Sequence, residues 1–121
     1  MSDRNRILLV EDDHDFAESL NLLLQIKGFE TIVTNSGEEA LDVYSEQEFD
    51  CILMDIKLPG ITGVETLSRI LEQAPGAKIL LMTGCERGSP EVLSASLAGA
   101  AGVLYKPFRI NDLLSIINKQ L

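Results

Sequence analysis

Apolar residues fall in two kinds of segment that alternate along the chain. Short runs rich in Ile, Val and Leu, which are typical of strands, are followed by longer segments whose apolar residues recur at helical spacing. This alternation is the pattern of βα units that form a parallel sheet. The five predicted strands are Arg6–Val10, Glu30–Thr34, Cys51–Met54 continuing to Asp55, Lys78–Thr83 and Gly102–Tyr105.

The first and fourth strands have no polar residue between their apolar ones. Ile7–Val10 and Ile79–Met82 are continuous apolar runs, which indicates strands that helices cover on both faces. Strands of this kind lie in the interior of a sheet. We therefore expect a doubly wound α/β fold in which these two strands are central.

Capping residues and apolar spacing predict five helices. The first covers about Asp13 to Lys27, with Asp13 as its cap and Gly28 as its stop. Ser36 and Glu39 have the spacing of a capping box at the start of the second. The stripe of the first helix consists of Phe16, Leu20, Leu23, Leu24 and Lys27, and that of the fifth consists of Ile110, Leu113, Leu114, Ile117 and Leu121. The third helix holds Val64, Leu67, Ile70 and Leu71. The fourth helix starts near Pro90.

Length and composition predict one globular domain over 1–121. The chain has 121 residues, of which 45% are hydrophobic and 24% charged, close to the average for a folded domain. A net charge of −9 argues against direct nucleic-acid binding, which needs clustered Lys and Arg. We find neither a signal peptide nor a membrane span, so a cytoplasmic location is expected. Cys51 and Cys85 lack the spacing of a zinc or redox motif.

Charged and polar residues follow the carboxyl ends of four predicted strands. Functional groups of a parallel α/β sheet gather at that edge. Glu11 and Asp12 follow the first strand, Asp55 ends the third, Thr83 ends the fourth and Lys106 follows the fifth. Clustered carboxylates repel one another, so protonation, a lysine or a cation must offset their charge. Three carboxylates are too few to enclose Ca²⁺ and suit Mg²⁺ better. Acids of this kind can also cap the N-termini of helices, and we expect this role for Asp13.

Four motifs in this order resemble those of the response-regulator receiver domain family. The motifs are Ile7-Leu8-Leu9-Val10-Glu11-Asp12-Asp13, Ile52-Leu53-Met54-Asp55-Ile56-Lys57-Leu58-Pro59-Gly60-Ile61-Thr62-Gly63, Leu81-Met82-Thr83-Gly84 and Tyr105-Lys106-Pro107-Phe108. The resemblance runs from about Arg6 to the C-terminus. It implies a flavodoxin-like (βα)5 fold with five parallel strands in the order 2-1-3-4-5.

The resemblance also implies a role for each site residue. Asp55 is then the phosphoryl acceptor, Thr83 the switch hydroxyl and Lys106 the phosphate-binding lysine, with a cis bond to Pro107. The ligands of Mg²⁺, or of Mn²⁺ as the alternative ion, are Glu11, Asp12, Asp55 and the backbone carbonyl of Lys57. An aspartate can act as the nucleophile of such a transfer, which depends on positioning and on neutralising negative charge.

The partners implied are those of a two-component system or phosphorelay. A histidine kinase or histidine phosphotransfer protein donates the group, and the surface of the fourth helix, fifth strand and fifth helix changes for an output domain or target that the sequence does not specify. The chain then catalyses its own phosphorylation and dephosphorylation without a separate turnover substrate, and is not an enzyme in that sense. The last helix permits a homodimer through the same surface.

Three positions depart from the common family pattern. Val103 stands where many members have an aromatic switch residue, and Tyr105, two residues on, is expected to share its facing. Output is therefore expected to depend on backbone movement. Gly84 replaces a common alanine and should open access to Asp55. Lys57 and Cys85 occupy the variable positions beside the phosphoryl group, and we predict that they set its lifetime.

Other functions remain open at this level. A flavodoxin-like carrier of FMN would share the fold, but its first strand should lead into a phosphate-binding loop, and Glu11-Asp12-Asp13 would repel phosphate. A phosphohydrolase of the haloacid dehalogenase type usually has a second acid where Lys57 stands. A receiver-like interaction module that is not phosphorylated is the third alternative. His14 is expected to be an exposed residue of the first helical turn, and Gly60 and Gly63 to allow tight turns.

Overall fold

A computed structural model describes residues 5–121 as alternating strands and helices. The strands are β1 Arg6–Val10, β2 Glu30–Thr34, β3 Cys51–Asp55, β4 Ile79–Thr83 and β5 Gly102–Tyr105. The helices are α1 His14–Ile26, α2 Gly37–Glu46, α3 Gly63–Gln73, α4 Pro90–Leu97 and α5 Ile110–Gln120. In this part of the chain, no helix combines the length and the apolar character needed to cross a membrane.

The strands form one parallel sheet in the order β2-β1-β3-β4-β5. This order confirms the predicted doubly wound fold and places the first and fourth strands in its interior. Side chains of Ile7–Val10 and Ile79–Met82 are at most 1% exposed, as the continuous apolar runs require. The order changes direction between β1 and β3, so a crevice is expected at their carboxyl ends.

Successive residues of each strand point to opposite faces of the sheet and divide the core in two. One half packs against α1 and α5, and its strand residues are Ile7, Leu9, Cys51, Leu53, Leu80 and Met82. The other half packs against α2, α3 and α4, and its strand residues are Leu8, Val10, Ile52, Met54, Ile79 and Leu81. Burial raises the pKa of the Cys51 thiol to about 12, so this cysteine is an inert core residue, as expected.

The predicted helix signals are confirmed at most ends. Asp13 caps α1 by accepting a hydrogen bond from the Phe16 amide at 3.1 Å, and Gly28 follows the helix with a φ of 97°. Ser36 accepts from the Glu39 amide at the start of α2. The Glu39 carboxylate, however, accepts from the Asn35 amide rather than from Ser36, so the predicted capping box is displaced by one residue.

Two element boundaries and three stripe residues differ from the sequence prediction. α1 ends at Ile26, so Lys27 lies just beyond the helix and is exposed. β4 begins at Ile79 rather than Lys78, because pairing with β3 starts at Ile79. Lys78 is exposed and contributes only its carbonyl, which accepts a hydrogen bond from the Ile52 amide at 2.8 Å. Leu23 is 41% exposed. Successive residues of a helix are rotated by about 100° about its axis, and this rotation places the Leu23 side chain at the edge of the buried face. Leu121 lies beyond α5 and is 48% exposed.

The loop after β3 turns tightly back onto the strand end. Gly60 adopts a φ of 74°, and the carboxylate of Glu38 on α2 accepts from the Ile61 amide beside it at 3.3 Å. At Gly63, an added Cβ would lie 2.6 Å from the carbonyl oxygen of Asp55. A side chain would therefore push the start of α3 away from the strand that carries Asp55.

We predict that Gly63→Ala lowers the free energy of unfolding by about 1–3 kcal/mol, the usual cost of forcing an atom into a filled site. Urea denaturation measures this change. Gly76→Ala is the matched control, because an added Cβ there meets nothing within 4 Å. Equal unfolding midpoints for the two variants would show that the close approach at Gly63 is relieved without cost.

Candidate functional site

A lysine and two carboxylates meet at the carboxyl edge of the sheet. The Lys106 ammonium lies 2.6 Å from Glu11 Oε1 and 2.9 Å from Asp55 Oδ2. Glu11 and Asp55 become neighbours because β1 and β3 pair in parallel and end together. Lys106 reaches them from the end of β5, where its bond to Pro107 is cis, as the family resemblance implied. The Glu11 side chain is 1% exposed and that of Lys106 is 22% exposed, so the acid of this ion pair is shielded from water while the lysine remains partly accessible.

Burial and charge act together on the protonation of this group. Burial raises the pKa of Glu11, and the nearby Asp55 adds to the rise, while hydrogen bonds from Lys106 and from the Asp13 amide oppose it. Burial by itself would lower the pKa of Lys106, but its hydrogen bonds to Glu11 and Asp55 outweigh that effect and raise it. Lys106 is therefore held as a cation by the acids that it neutralises.

Three carboxylates form a candidate metal centre. Glu11, Asp12 and Asp55 each offer one oxygen, and these oxygens lie within 4.8 Å of one another. Opposite ligands of one Mg²⁺ stand about 4.2 Å apart, so small side-chain adjustments would suffice to hold such an ion. Asp12 is exposed and open to solvent, as a site that retains metal-bound waters requires. The Lys57 amide donates to Asp55 Oδ1 at 3.0 Å, so Lys57 lies beside this cluster.

Thr83 ends β4 with its side chain buried, 1% exposed. Its hydroxyl oxygen accepts from the Cys85 amide at 2.9 Å, and its carbonyl accepts from the Lys106 amide at 2.7 Å. A hydroxyl that accepts one hydrogen bond still has a proton to donate. Thr83 thus connects the end of β4 with both the following loop and the strand end that carries Lys106.

The variable positions lie around this edge. An added Cβ at Gly84 would meet nothing within 4 Å, so an alanine would also fit at this position. Cys85 is half-buried in the loop between β4 and α4, and Lys57 is exposed. Val103 and Tyr105 pack on the same half of the core, as their spacing predicted.

Two aromatic contacts at the site were missed by the sequence analysis. The Arg87 guanidinium lies 4.3 Å from the centre of the Tyr105 ring, which joins the loop after β4 to β5. The Lys106 ammonium lies 4.3 Å from the centre of the Phe16 ring, a residue predicted only as part of an apolar stripe. No sequence spacing links these residues, so the contacts follow only from the tertiary fold. His14 is exposed in the first turn of α1, as predicted.

Comparisons with known proteins place these residues in a family context. A family model described as the response regulator receiver domain matches residues 7–118. The DNA-binding response regulator MtrA of Mycobacterium tuberculosis is 33% identical over 118 residues, covering 98% of this chain and 51% of that protein. The transcriptional regulatory protein FixJ of Bradyrhizobium diazoefficiens is 31% identical over 121 residues, covering 100% of this chain and 58% of that protein.

Solved structures agree with this likeness. The response regulator protein TrrA of Thermotoga maritima, determined in complex with Mg²⁺ and BeF, has a TM-score of 0.85 and 31% identity, covering 97% of this chain and 99% of that one. The chemotaxis response regulator CheY4 of Vibrio cholerae has a TM-score of 0.88 and 30% identity, covering 98% and 99%. The chain spans about half the length of the curated relatives that it matches.

The charge balance of the site predicts how a change at Lys106 affects stability. Lys106→Met leaves the buried Glu11 carboxylate without its cation and should destabilise the metal-free protein by about 1–3 kcal/mol at pH 7. Without the lysine, the pKa of Glu11 rises further above its ordinary value of 4.5 in the folded state. At pH values between the unfolded and the folded pKa of Glu11, the carboxyl keeps its proton in the folded state and loses it in the unfolded state. The free energy of unfolding of the variant therefore falls as the pH rises through that interval.

The loss caused by Lys106→Met should accordingly be smaller at pH 4 than at pH 7. Urea denaturation at both pH values in the presence of EDTA measures it, and Lys119→Met, at an exposed position, is the control. A destabilisation that is the same at both pH values would show that the lysine does not neutralise a buried acid.

Proposed function

Because the chain belongs to the response regulator receiver domain family, we propose that it accepts a phosphoryl group on Asp55. The observation that carries this proposal is the position of the Lys106 ammonium, 2.9 Å from Asp55 Oδ2. A carboxylate in contact with a fixed cation has a partner ready for the negative oxygens of an incoming phosphoryl group. Asp55 is also accessible, with 14% of its side chain exposed at the edge of the sheet.

The proposed donor is a phosphohistidine of a histidine kinase or phosphotransfer protein. An Asp55 carboxylate oxygen attacks the phosphorus, a P–O bond forms, and the P–N bond breaks. The electron pair of that bond leaves with the imidazole. Attack of water on the same phosphorus later cleaves the new bond, returning the carboxylate and releasing inorganic phosphate. The chain thereby promotes its own modification and its reversal without a separate turnover substrate.

Glu11, Asp12 and Asp55 would hold Mg²⁺, with Mn²⁺ as an alternative, and the Lys57 backbone carbonyl would complete the protein ligands. When bound, the ion neutralises negative charge that develops on the phosphoryl oxygens. The spacing of the three carboxylates supports this assignment. TrrA, which shares the fold, was determined in complex with Mg²⁺ and BeF.

Thr83 is proposed to report the modification. Its hydroxyl proton would donate to a phosphoryl oxygen on Asp55, drawing the end of β4 and the following loop toward the site. Because Val103 is not aromatic, the change would reach the surface of α4, β5 and α5 through this backbone movement. A shift between two arrangements of that surface would then be biased by phosphorylation.

An output domain or target would bind the changed surface, and a homodimer through α4, β5 and α5 is one arrangement that it permits. Leu93 and Leu97 on α4 are 54% and 88% exposed, which supports a contact surface there. MtrA is named as a DNA-binding protein, and this chain covers only 51% of it. We propose that this acidic chain does not itself contact nucleic acid, and that it acts in the cytoplasm.

Incubating the protein with Mg²⁺ and acetyl phosphate or phosphoramidate should yield one phosphoryl adduct, detected by intact mass. Asp55→Asn should abolish the adduct because it removes the nucleophile, and EDTA should suppress it. Asp42→Asn, at an exposed position on α2, is the matched control and should be modified normally. An adduct that persists in Asp55→Asn would contradict the assignment, and absence of any adduct would favour an interaction module that is not phosphorylated.

The variable positions Lys57 and Cys85 are proposed to set the lifetime of the phosphoryl group on Asp55. Lys57 follows Asp55 by two residues, and Cys85 follows Thr83 by two, so both should influence the approach of water to a phosphoryl group. We expect Lys57→Ala or Cys85→Ala to change the rate at which the adduct disappears after the donor is removed. Unchanged rates in both variants would show that neither position sets the lifetime.

A further inference from the structure

The Phe16 ring lies against the cation of the site. Lys106 has three N–H donors on its ammonium group. Two hydrogen bonds, to Glu11 Oε1 and Asp55 Oδ2, are formed among the described residues. The Phe16 ring centre lies 4.3 Å from the same nitrogen, within the range of a cation–π contact.

Phe16 is itself fixed by its surroundings. It lies in the first turns of α1 and packs against the half of the core that contains Leu20 and Leu24. The ring of Phe108 meets it edge-on, with centres 6.0 Å apart and planes at 89°. A ring held in this way is a rigid surface, whereas the four-carbon stem of a lysine is flexible and costs entropy to order.

We propose that Phe16 is a positioning residue for phosphoryl transfer, which holds the Lys106 ammonium over Asp55. The ring excludes water from one side of the ammonium and restricts its stem to arrangements in which Asp55 remains within reach. This inference rests on the proposed function of Asp55. Phe16 does not touch the reacting atoms and acts only through the lysine.

The test uses the full chain with Mg²⁺ and phosphoramidate, so that docking to a protein donor plays no part. Phe16→Leu should slow the appearance of the phosphoryl adduct about two- to five-fold, the factor that corresponds to loss of a partly exposed cation–π contact. Phe16→Tyr retains the ring and should restore the rate. Phe29→Leu makes the same change in the same half of the core, beyond the C-terminal end of α1, and should leave the rate unchanged.

A spectroscopic readout separates positioning from a loss of stability. Protons on the carbon next to the Lys106 ammonium should resonate upfield in the native protein and in Phe16→Tyr, because the nitrogen bonded to that carbon lies 4.3 Å from the ring centre. In Phe16→Leu the shift should disappear, while in Phe29→Leu it should remain. Phe29→Leu is expected to lower the unfolding midpoint. Its phosphorylation rate therefore shows whether a loss of stability alone slows the reaction.

The possible results distinguish this inference from the proposed function. A normal rate in Phe16→Leu, with the adduct still dependent on Asp55, would overturn the role of Phe16 and leave the function standing. Equal slowing in Phe16→Tyr would also overturn it, since the ring is present there. An adduct that survives Asp55→Asn would overturn both. Slowing in Phe16→Leu alone, together with loss of the upfield shift, supports the inference.

Discussion

Lys106 holds together two carboxylates that would otherwise repel each other at one edge of the sheet. Two like charges 4 Å apart repel by about 4 kcal/mol at an effective dielectric constant of 20. The lysine offsets this repulsion with contacts of 2.6 Å to Glu11 and 2.9 Å to Asp55. The rest of the site depends on this balance, because the acids can remain close together and charged only while a cation lies between them.

The fold supplies this arrangement through ordinary packing. Continuous apolar strands need helices on both faces of the sheet, so the order of the strands must change direction, and it does so between β1 and β3. These two strands are therefore neighbours, and their ends bring Glu11 beside Asp55. The turn after β3 is fixed where Gly63 meets the carbonyl of Asp55. Core residues and site residues are therefore neighbours at the same strand ends, and a change in one affects the position of the other.

Much of this architecture could be predicted from the sequence, because its causes are local. Continuous apolar runs identified the central strands, and Asp13 and Ser36 identified helix starts by short-range hydrogen bonds. Glu11, Asp55, Thr83 and Lys106 were predicted to lie near one another because parallel strands end at a shared edge. Leu23 belongs to the predicted stripe but is 41% exposed, since spacing gives the direction of a helix face but not its width.

The contacts that the sequence could not predict join residues from different elements. Phe16 meets Lys106 across the fold, and Arg87 meets Tyr105 between a loop and a strand. Neither pair has a characteristic spacing, and each depends on side-chain directions that only the folded chain defines. The displaced capping box at Glu39 has a similar cause, because a flexible carboxylate selects among neighbouring amides.

The strand that leads to Lys106 lies at the edge of the sheet, and its residues are only half-buried. Edge elements open more readily than central ones, in local fluctuations that leave the remaining core folded. Separation of β5 from β4 would withdraw the cation while Glu11 and Asp55 stayed in place on interior strands. Opening of this one strand would thus change the charge balance of the site. Amide hydrogen exchange along Gly102–Tyr105 would therefore report on the position of a cation that lies one residue beyond the strand.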